Sequence, residues 1–236
     1  MTAHLTLPTE VEQRISGWVR IQERQAWRRA KARRRPAVTI SRQFGCEGFP
    51  LSLNLQERLA RATGEPWHIF DKIFIEKLAQ DEEVALKLLR DLEDPARYLE
   101  AFDFHPRGPS TSGEQFSRMA VAVLRFATEG NAIIVGRGGA VLCRQLENCF
   151  HFRLEAGLDW RIGALVRRMG IGRAEAEALE RTESRLRERF LRDYLGVEAG
   201  DRGHYDAVFN NERHSVEEVA AAICAYVQSA WPPAAR

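Results

Sequence analysis

The fold of this chain is decided by the stretch Ala37-Val-Thr-Ile-Ser-Arg-Gln-Phe-Gly-Cys-Glu-Gly-Phe-Pro50. Its first five residues are mostly apolar or β-branched, which is typical of a buried strand. A loop with Gly45 and Gly48 follows, and leucines then recur at helical spacing up to Gly64. Backbone N–H groups in a glycine-containing turn before a helix can bind an anion, so the stretch predicts a phosphate-binding loop. Because the chain has no Gly-Lys dipeptide and therefore no complete P-loop pattern, a tight strand-to-helix turn remains the alternative.

The remaining chain alternates short apolar segments with helical patterns. Four further strands are predicted at residues 68–71, 132–135, 150–154 and 207–209. Helices are predicted over residues 51–62, 73–80, 82–92, 114–129, 160–169, 173–195 and 216–227, and an irregular insert or lid over residues 93–113. Five strands that alternate with helices predict an α/β fold with a doubly wound parallel sheet, in which ligands bind beyond the carboxyl ends of the strands.

Charge is distributed unevenly along the chain. Residues 1–36 carry nine Lys or Arg against three acids, whereas residues 37–236 carry 26 basic and 30 acidic residues. We interpret residues 1–36 as a basic arm with a helix over residues 8–35. The arm predicts either contact with nucleic acid through residues 14–35, or packing of its tryptophans on the domain or in a homodimer.

The rest of the chain predicts one domain of an intracellular protein. We place this domain at residues 37–230, with insert, acceptor or lid regions at about 72–113 and 170–204. No apolar run approaches the ~18 residues that a membrane span needs, and the chain does not begin with a signal peptide pattern. The four cysteines show no C-x-x-C or zinc spacing, and the six histidines show no paired spacing. We therefore expect a cytoplasmic protein without a protein-held metal.

Polar residues follow two of the predicted strands. Gly136-Arg-Gly-Gly139 comes directly after the strand at residues 132–135, and Asp71 and Lys72 come at the end of the strand at residues 68–71. Arginine presents a planar fork of donors that matches a phosphate group, so the first of these turns is a candidate binding site. A close-packed turn with a surface arginine and a solvated charge pair are the alternatives.

A row of arginines lies on the long helix predicted at residues 173–195. Arg181, Arg185, Arg189 and Arg192 are spaced four, four and three residues apart and therefore project from one helical face. Such a row could close over a triphosphate, because catalysis of phosphoryl transfer consists largely of positioning and charge stabilisation. A salt-bridged face turned to solvent is the alternative.

Five segments in this order resemble a known family. They are Thr39-Ile-Ser-Arg-Gln-Phe-Gly45, Phe70-Asp-Lys72, Ala132-Ile-Ile-Val-Gly-Arg-Gly-Gly139, Phe152-Arg-Leu-Glu-Ala-Gly-Leu-Asp-Trp-Arg161 and Tyr205-Asp-Ala-Val-Phe-Asn-Asn211. Over about residues 37–228 the chain resembles the cytidylate kinase-like family, a branch of the P-loop nucleoside monophosphate kinases.

The resemblance implies a five-stranded parallel sheet and the use of ATP with Mg²⁺, the metal being held through phosphates and water. ATP would bind Ser41, Arg42, Gln43, Phe44, Gly45, Cys46, Glu47, Gly48 and Phe49, with Asn210 and Asn211 near the adenine. The acceptor, CMP or dCMP, would bind Asp71, Lys72, Arg137, Gly138 and Arg161. Catalysis would depend on Arg42, Arg137, Arg181, Arg185 and Arg189.

Departures from the family pattern leave other functions open. Glu47 places a carboxylate where a phosphate would sit, and Ser52 is the nearest hydroxyl after Gly48 that could reach a metal. Arg42 would have to replace the missing P-loop lysine. One alternative is a catalytically inactive nucleotide sensor, which would bind nucleotide without turnover. The other is a nucleic-acid or partner-binding protein that uses the basic arm.

Overall fold

The computed structural model describes residues 35–80 and 110–231. The helix predicted over residues 82–92 lies outside these residues, as do the basic arm up to residue 34 and most of the insert predicted at residues 93–113. The arm's predicted contacts with nucleic acid or with a second copy therefore stay predictions.

The described residues form five strands and seven helices in alternating order. The strands are β1 (Ala37–Arg42), β2 (His68–Phe70), β3 (Ala132–Val135), β4 (Cys149–Glu155) and β5 (Ala207–Asn210). The helices are α1 (Gly48–Thr63), α2 (Lys72–Gln80), α3 (Ser110–Glu129), α4 (Gly139–Leu142), α5 (Leu158–Met169), α6 (Arg173–Leu195) and α7 (Val216–Ala230). None of these helices is long and apolar enough to cross a membrane.

The sheet has the strand order β2-β3-β1-β4-β5, and every pair of neighbouring strands is parallel. This confirms the predicted five-stranded parallel sheet. β1 lies at its centre, so that Ala37 is in register with both Ala132 of β3 and Cys149 of β4. Since the carboxyl ends of parallel strands meet at one edge, the residues that follow β1, β3 and β4 come together there.

Helices cover both faces of the sheet, which explains why most strand residues are apolar. On one face, α1 and α7 pack through a cluster that includes Leu55 and Ile223, and on the other α2, α3 and α4 pack through a cluster that includes Phe126. Neighbouring residues of β3 alternate between the two faces: Ile133 belongs to the first cluster and Ile134 to the second. A strand that is buried on both faces has apolar residues in succession, whereas a strand with one face in solvent alternates apolar and polar residues.

The largest difference from a predicted helix start is at α3, and the short helix α4 was not predicted. α3 begins at Ser110, four residues before the predicted start at Glu114. The first residues of this helix are polar and show no apolar periodicity, so a pattern of buried residues cannot detect its first turn.

A buried polar contact joins the two central strands. The Nδ1 atom of His151 on β4 lies 2.8 Å from Oγ1 of Thr39 on β1. Burial lowers the pKa of His151 from 6.5 to about 4, although the nearby Asp206 acts in the opposite direction. The imidazole is therefore neutral in the folded protein at neutral pH.

We predict that His151 makes the fold sensitive to mild acid. Between pH 6.5 and about pH 4 the unfolded chain binds a proton at this residue and the folded chain does not, so stability is lost as the pH falls through this range. From about pH 7.5 to pH 5 this contribution to the free energy of unfolding falls by about 2 kcal/mol. Urea unfolding of the protein and of His151→Gln at both pH values measures this fall in the free energy of unfolding. The fall should be smaller in the variant by about 2 kcal/mol, and an equal fall in both proteins would contradict the role of His151.

Candidate active site

A cleft of about 850 Å³ lies at the carboxyl ends of β1, β3 and β4, beneath α6. Its lining is strongly basic: it has three carboxylates, Glu155, Glu180 and Glu188, and eight arginines. The arginines are Arg42, Arg137, Arg153, Arg161, Arg181, Arg185, Arg187 and Arg202. The cleft therefore favours a ligand with several negative charges.

Arg42, the last residue of β1, extends across the floor of the cleft. Its aliphatic stem lies over the α-carbon of Gly48. Its Nη1 atom lies beside Gly136, so that a Cβ on Gly136 would be only 2.2 Å from Nη1. Burial, together with the positive charges of Arg187 and Arg137, lowers the pKa of this guanidinium to about 9. Positive charge is thus concentrated at the end of the central strand.

The turn after β3 holds Arg137 in an unusual backbone conformation. Gly136, Arg137 and Gly138 have φ values of 82°, 55° and 68°, and a left-handed φ is uncommon for a residue other than glycine. Nη1 of Arg137 donates to Glu76 at 2.5 Å, and the guanidinium carbon lies 4.7 Å from the centre of the Phe190 ring. Burial lowers the pKa of Arg137, an effect that Glu76 opposes. Backbone strain beside a buried charge is a common feature of functional sites.

α6 contributes three arginines to the cleft, but not the three predicted. Arg181 and Arg185 line it together with Arg187, whose guanidinium carbon lies 5.1 Å from the centre of the Phe44 ring. Arg189 is absent from the lining, since its Nε donates to Asp193 at 3.1 Å and its side chain is 75% exposed. Each step of four residues turns about 40° beyond a full helical turn, so a row with this spacing drifts off the face on which it begins.

The predicted phosphate-binding loop is held in place by side chains from two other elements. Gly45 has a φ of 96°, and a Cβ there would lie 2.7 Å from Cβ of Arg161 and 2.9 Å from its carbonyl oxygen. The guanidinium of Arg161 donates to the carbonyl oxygens of Phe44, at 3.0 Å, and Ala156, at 3.1 Å, and also to Glu180. The amide of Glu47 donates to Oδ1 of Asn211 at 2.8 Å. In this structure Arg161 and Asn211 therefore support the loop.

Only the first part of this loop reaches the cleft. Ser41, Arg42, Gln43 and Phe44 line it, whereas the lining does not include Gly45, Cys46, Glu47, Gly48 and Phe49. Burial raises the pKa of Cys46 to about 11, so the thiol is protonated at neutral pH. Ser52, the nearest hydroxyl after the loop, is fully buried and donates to the carbonyl oxygen of Phe49 at 2.7 Å. It does not face the cleft.

The other predicted contacts lie around the cleft. Gly138 lines it, whereas Asp71 and Lys72 do not. Oδ1 of Asp71 accepts from the amide of Phe74 at 2.8 Å in the first turn of α2, and the charge of Asp71 raises the pKa of Arg42. Asn210 lines a smaller neighbouring pocket of about 370 Å³.

A polar network at the β4 side of the cleft was not predicted. Arg153 donates to Glu155 at 2.8 Å and to the hydroxyl of Tyr205 at 3.2 Å, and this hydroxyl donates to Oγ of Ser41 at 3.1 Å. Arg202 donates to the other oxygen of Glu155 at 2.5 Å. The sequence carries one signal for this network, because Arg153 stands between the apolar residues Phe152 and Leu154 of β4. Arg187 had no comparable signal, since its orientation depends on how α6 packs.

The residues present do not fit a magnesium site made by protein ligands. No group of three His, Cys, Asp or Glu side chains suited to a metal occurs in the described parts of the chain. Mg²⁺ requires nearly octahedral oxygen coordination, commonly from one or two carboxylates together with phosphates and water. Two of the three cleft carboxylates, Glu155 and Glu180, are already paired with arginines.

We predict that Gly45→Ala distorts the loop while Gly64→Ala is tolerated. Both glycines have a positive φ, but a Cβ at Gly64 meets no atom within 4 Å, whereas at Gly45 it meets the backbone of α5. We expect Gly64→Ala to cost about 1 kcal/mol in free energy of unfolding, and Gly45→Ala about 3 kcal/mol. Denaturant unfolding measures both, and equal costs would contradict the proposed close contact between the loop and α5.

Comparison with known proteins agrees with this architecture. A crystal structure of an uncharacterized protein from Eubacterium ventriosum superposes with a TM-score of 0.62 at 19% sequence identity, over 83% of this chain and 99% of that one. A crystal structure of TT1252 from Thermus thermophilus, 15% identical over 84% of this chain and 98% of that one, has a TM-score of 0.38. None of the curated proteins compared with the chain matches it. The model of the cytidylate kinase-like family matches residues 37–213, so the chain belongs to the cytidylate kinase-like family.

Proposed function

We propose that this protein transfers the terminal phosphoryl group of ATP to a nucleoside monophosphate of the CMP or dCMP type, or to a related small acceptor. Membership of the cytidylate kinase-like family supports a nucleotide kinase-like activity in general. The single observation that carries the proposal further is the gathering of Arg42, Arg137, Arg181 and Arg185 around one cleft at the strand ends.

The charge of the cleft suits this reaction. A transferring phosphoryl group spreads negative charge over its oxygens, and fixed positive groups stabilise that charge most effectively where water is excluded. Arg42 and Arg137 are partly buried, and their charges repel each other in the absence of an anion. A bound polyphosphate would relieve this repulsion, so ligand binding and stabilisation of the transition state use the same groups.

The proposed reaction is an in-line transfer without a covalent enzyme intermediate. A phosphate oxygen of the acceptor attacks the γ-phosphorus of ATP, and the bond from this phosphorus to the bridging oxygen of ADP breaks. Arg42 and Arg137 would contact the phosphates from the sheet side, and Arg181 and Arg185 from α6. Mg²⁺, which the family implies, would be held through phosphates and water. When bound, the ion would supply further positive charge.

The remaining predicted contacts divide into three groups in this proposal. Gly138 would lie beside the acceptor, because it lines the cleft next to Arg137. Arg161 and Asn211 would act as positioning residues, because both hold the phosphate-binding loop through hydrogen bonds. Asp71 would act on the site through its charge near Arg42.

One observation favours a second function, that of a nucleotide sensor without turnover. Two amides of the phosphate-binding loop are already bonded inside the protein: Cys46 donates to the carbonyl of Gln43 at 3.3 Å, and Glu47 donates to Asn211 at 2.8 Å. In this conformation these N–H groups are not available to donate to a phosphate. A loop of this kind would hold the phosphates of ATP less firmly in the geometry that transfer requires, which favours binding without turnover.

We predict that the purified full chain, with ATP and Mg²⁺, forms ADP when a nucleoside monophosphate is present. A panel of CMP, dCMP, UMP, AMP and GMP identifies the acceptor. Arg42→Gln should lower kcat/KM by about 10²–10³-fold, since a preorganised charge at the transferring group is lost. Arg192→Gln is the matched control, because Arg192 is exposed on α6 and does not line the cleft. Saturable nucleotide binding without any transfer would select the sensor function, and equal activity of the two variants would overturn the role of Arg42.

A further inference from the structure

We infer that Tyr205 is a positioning residue of the candidate active site. It directs the hydroxyl proton of Ser41 into the cleft, where this proton is donated to an oxygen atom of the bound nucleotide. That the ligand is a nucleotide rests on the function proposed above, whereas the direction of the hydroxyl rests on contacts within the protein. Tyr205 is not among the site residues predicted from the sequence.

Three side chains from three elements form a chain of hydrogen bonds that ends in the cleft. Nη1 of Arg153, on β4, donates to the hydroxyl oxygen of Tyr205 at 3.2 Å. Tyr205 lies between α6 and β5, and its hydroxyl donates to Oγ of Ser41 on β1 at 3.1 Å. All three residues line the cleft.

The first group in this chain sets the direction of the hydrogen bonds. A guanidinium has N–H donors and no acceptor, so the hydroxyl oxygen of Tyr205 accepts from Arg153. Tyr205 then uses its own proton for the bond to Ser41. Ser41 makes no other side-chain hydrogen bond to the residues that the structure describes, so its own proton has no acceptor there. The role left to Ser41 toward a ligand is therefore that of a donor.

Tyr205 is held in this position before a ligand arrives. The next residue, Asp206, is bonded twice to His151 on β4: its amide donates to the carbonyl oxygen of His151 at 2.7 Å, and its carboxylate accepts from the amide of His151 at 2.6 Å. Arg153 is only 6% exposed and also donates to Glu155 at 2.8 Å. A buried and paired cation thus fixes the start of the chain, and the backbone beside Tyr205 is fixed by β4.

The charge at the start of the chain makes Ser41 a stronger donor. Hydrogen bonds in series polarise one another, so a hydroxyl that accepts from a polarised phenol has a more positive proton of its own. Such a proton bonds an anionic oxygen more strongly than the proton of an isolated serine. The arginines of the cleft supply charge, and this hydroxyl supplies a donor with a fixed direction. Tyr205 therefore acts on the ligand through Ser41.

A double-mutant cycle on the full chain tests the inference. The value of kcat/KM is measured for the unaltered protein, Tyr205→Phe, Ser41→Ala and the double variant, with ATP, Mg²⁺ and the acceptor identified by the panel above. Ser41→Ala should lower kcat/KM at least about tenfold, as expected when a hydrogen bond to a charged group is lost. Tyr205→Phe should lower it about three- to tenfold, because the donor remains but is no longer directed. In the Ser41→Ala background, Tyr205→Phe should have no further effect.

Tyr226→Phe is the matched control. Tyr226 lies on α7, is 41% exposed and does not line the cleft, so removal of its hydroxyl should leave kcat/KM unchanged. Tyr205→Phe keeps the ring, whose centre lies 5.4 Å from the guanidinium carbon of Arg153, and we expect it to fold. Melting temperatures of all variants are measured, and the kinetics are compared at a temperature where every variant is folded.

A purely structural role for Tyr205 gives a different result. If Tyr205→Phe lowers kcat/KM equally with and without the Ser41 hydroxyl, or has the same kcat/KM as Tyr226→Phe, the inference is wrong and the proposed kinase activity still stands.

If none of the acceptors is phosphorylated, the proposed kinase activity fails and the same cycle is measured by calorimetric titration with ATP and Mg²⁺. A loss of affinity in Tyr205→Phe that disappears in the Ser41→Ala background would then support the role of Tyr205. Additive losses, or no binding of ATP, would overturn it.

Discussion

The central position of β1 in the parallel sheet is the constraint on which the candidate site depends. β1 is in register with β3 on one side and β4 on the other, so the residues after all three strands must meet at one edge. The amide of Gly136 donates to the carbonyl of Ile40 at 3.0 Å, which brings the strained turn directly beside Arg42. Without this register the buried guanidiniums would not share one cleft.

This gathering of charge opposes stability, and the rest of the domain compensates for it. Burial and repulsion by Arg187 and Arg137 disfavour the charged form of Arg42. The surrounding strands consist mainly of buried apolar residues, which stabilise the fold. α6 stays over the cleft because its last turns pack into the core: the ring of Tyr194 stacks on Phe116 at 4.8 Å, and a Cβ at Gly138 would collide with Leu195. The hydrophobic end of this helix therefore positions the basic part that lines the cleft.

The parts of the site that could be predicted are those determined locally. Turns that follow apolar strands must lie at the carboxyl edge of the sheet, so Arg42, Arg137 and Gly138 were identified from their neighbours along the chain. Side chains whose orientation depends on packing between distant elements were not. Arg187 faces the cleft and Arg189 faces solvent in a helix whose end packs on the core through Phe190, Tyr194 and Leu195. Ser52 lies on the buried face of α1, where its hydroxyl donates to the carbonyl oxygen of Phe49.

The sequence by itself determined the alternation of strands and helices, the parallel sheet and the glycine-rich turns at its edge, because these follow from residue periodicity and from local backbone preferences. Its five ordered segments were also sufficient to indicate the family. Only the tertiary structure decided which arginines share the cleft, and that Arg161 supports the predicted phosphate-binding loop from within. The physical reason is that charge repulsion, desolvation and hydrogen-bond pairing depend on distances in space. Those distances are set by the packing of α5 and α6 against the sheet, which no local pattern encodes.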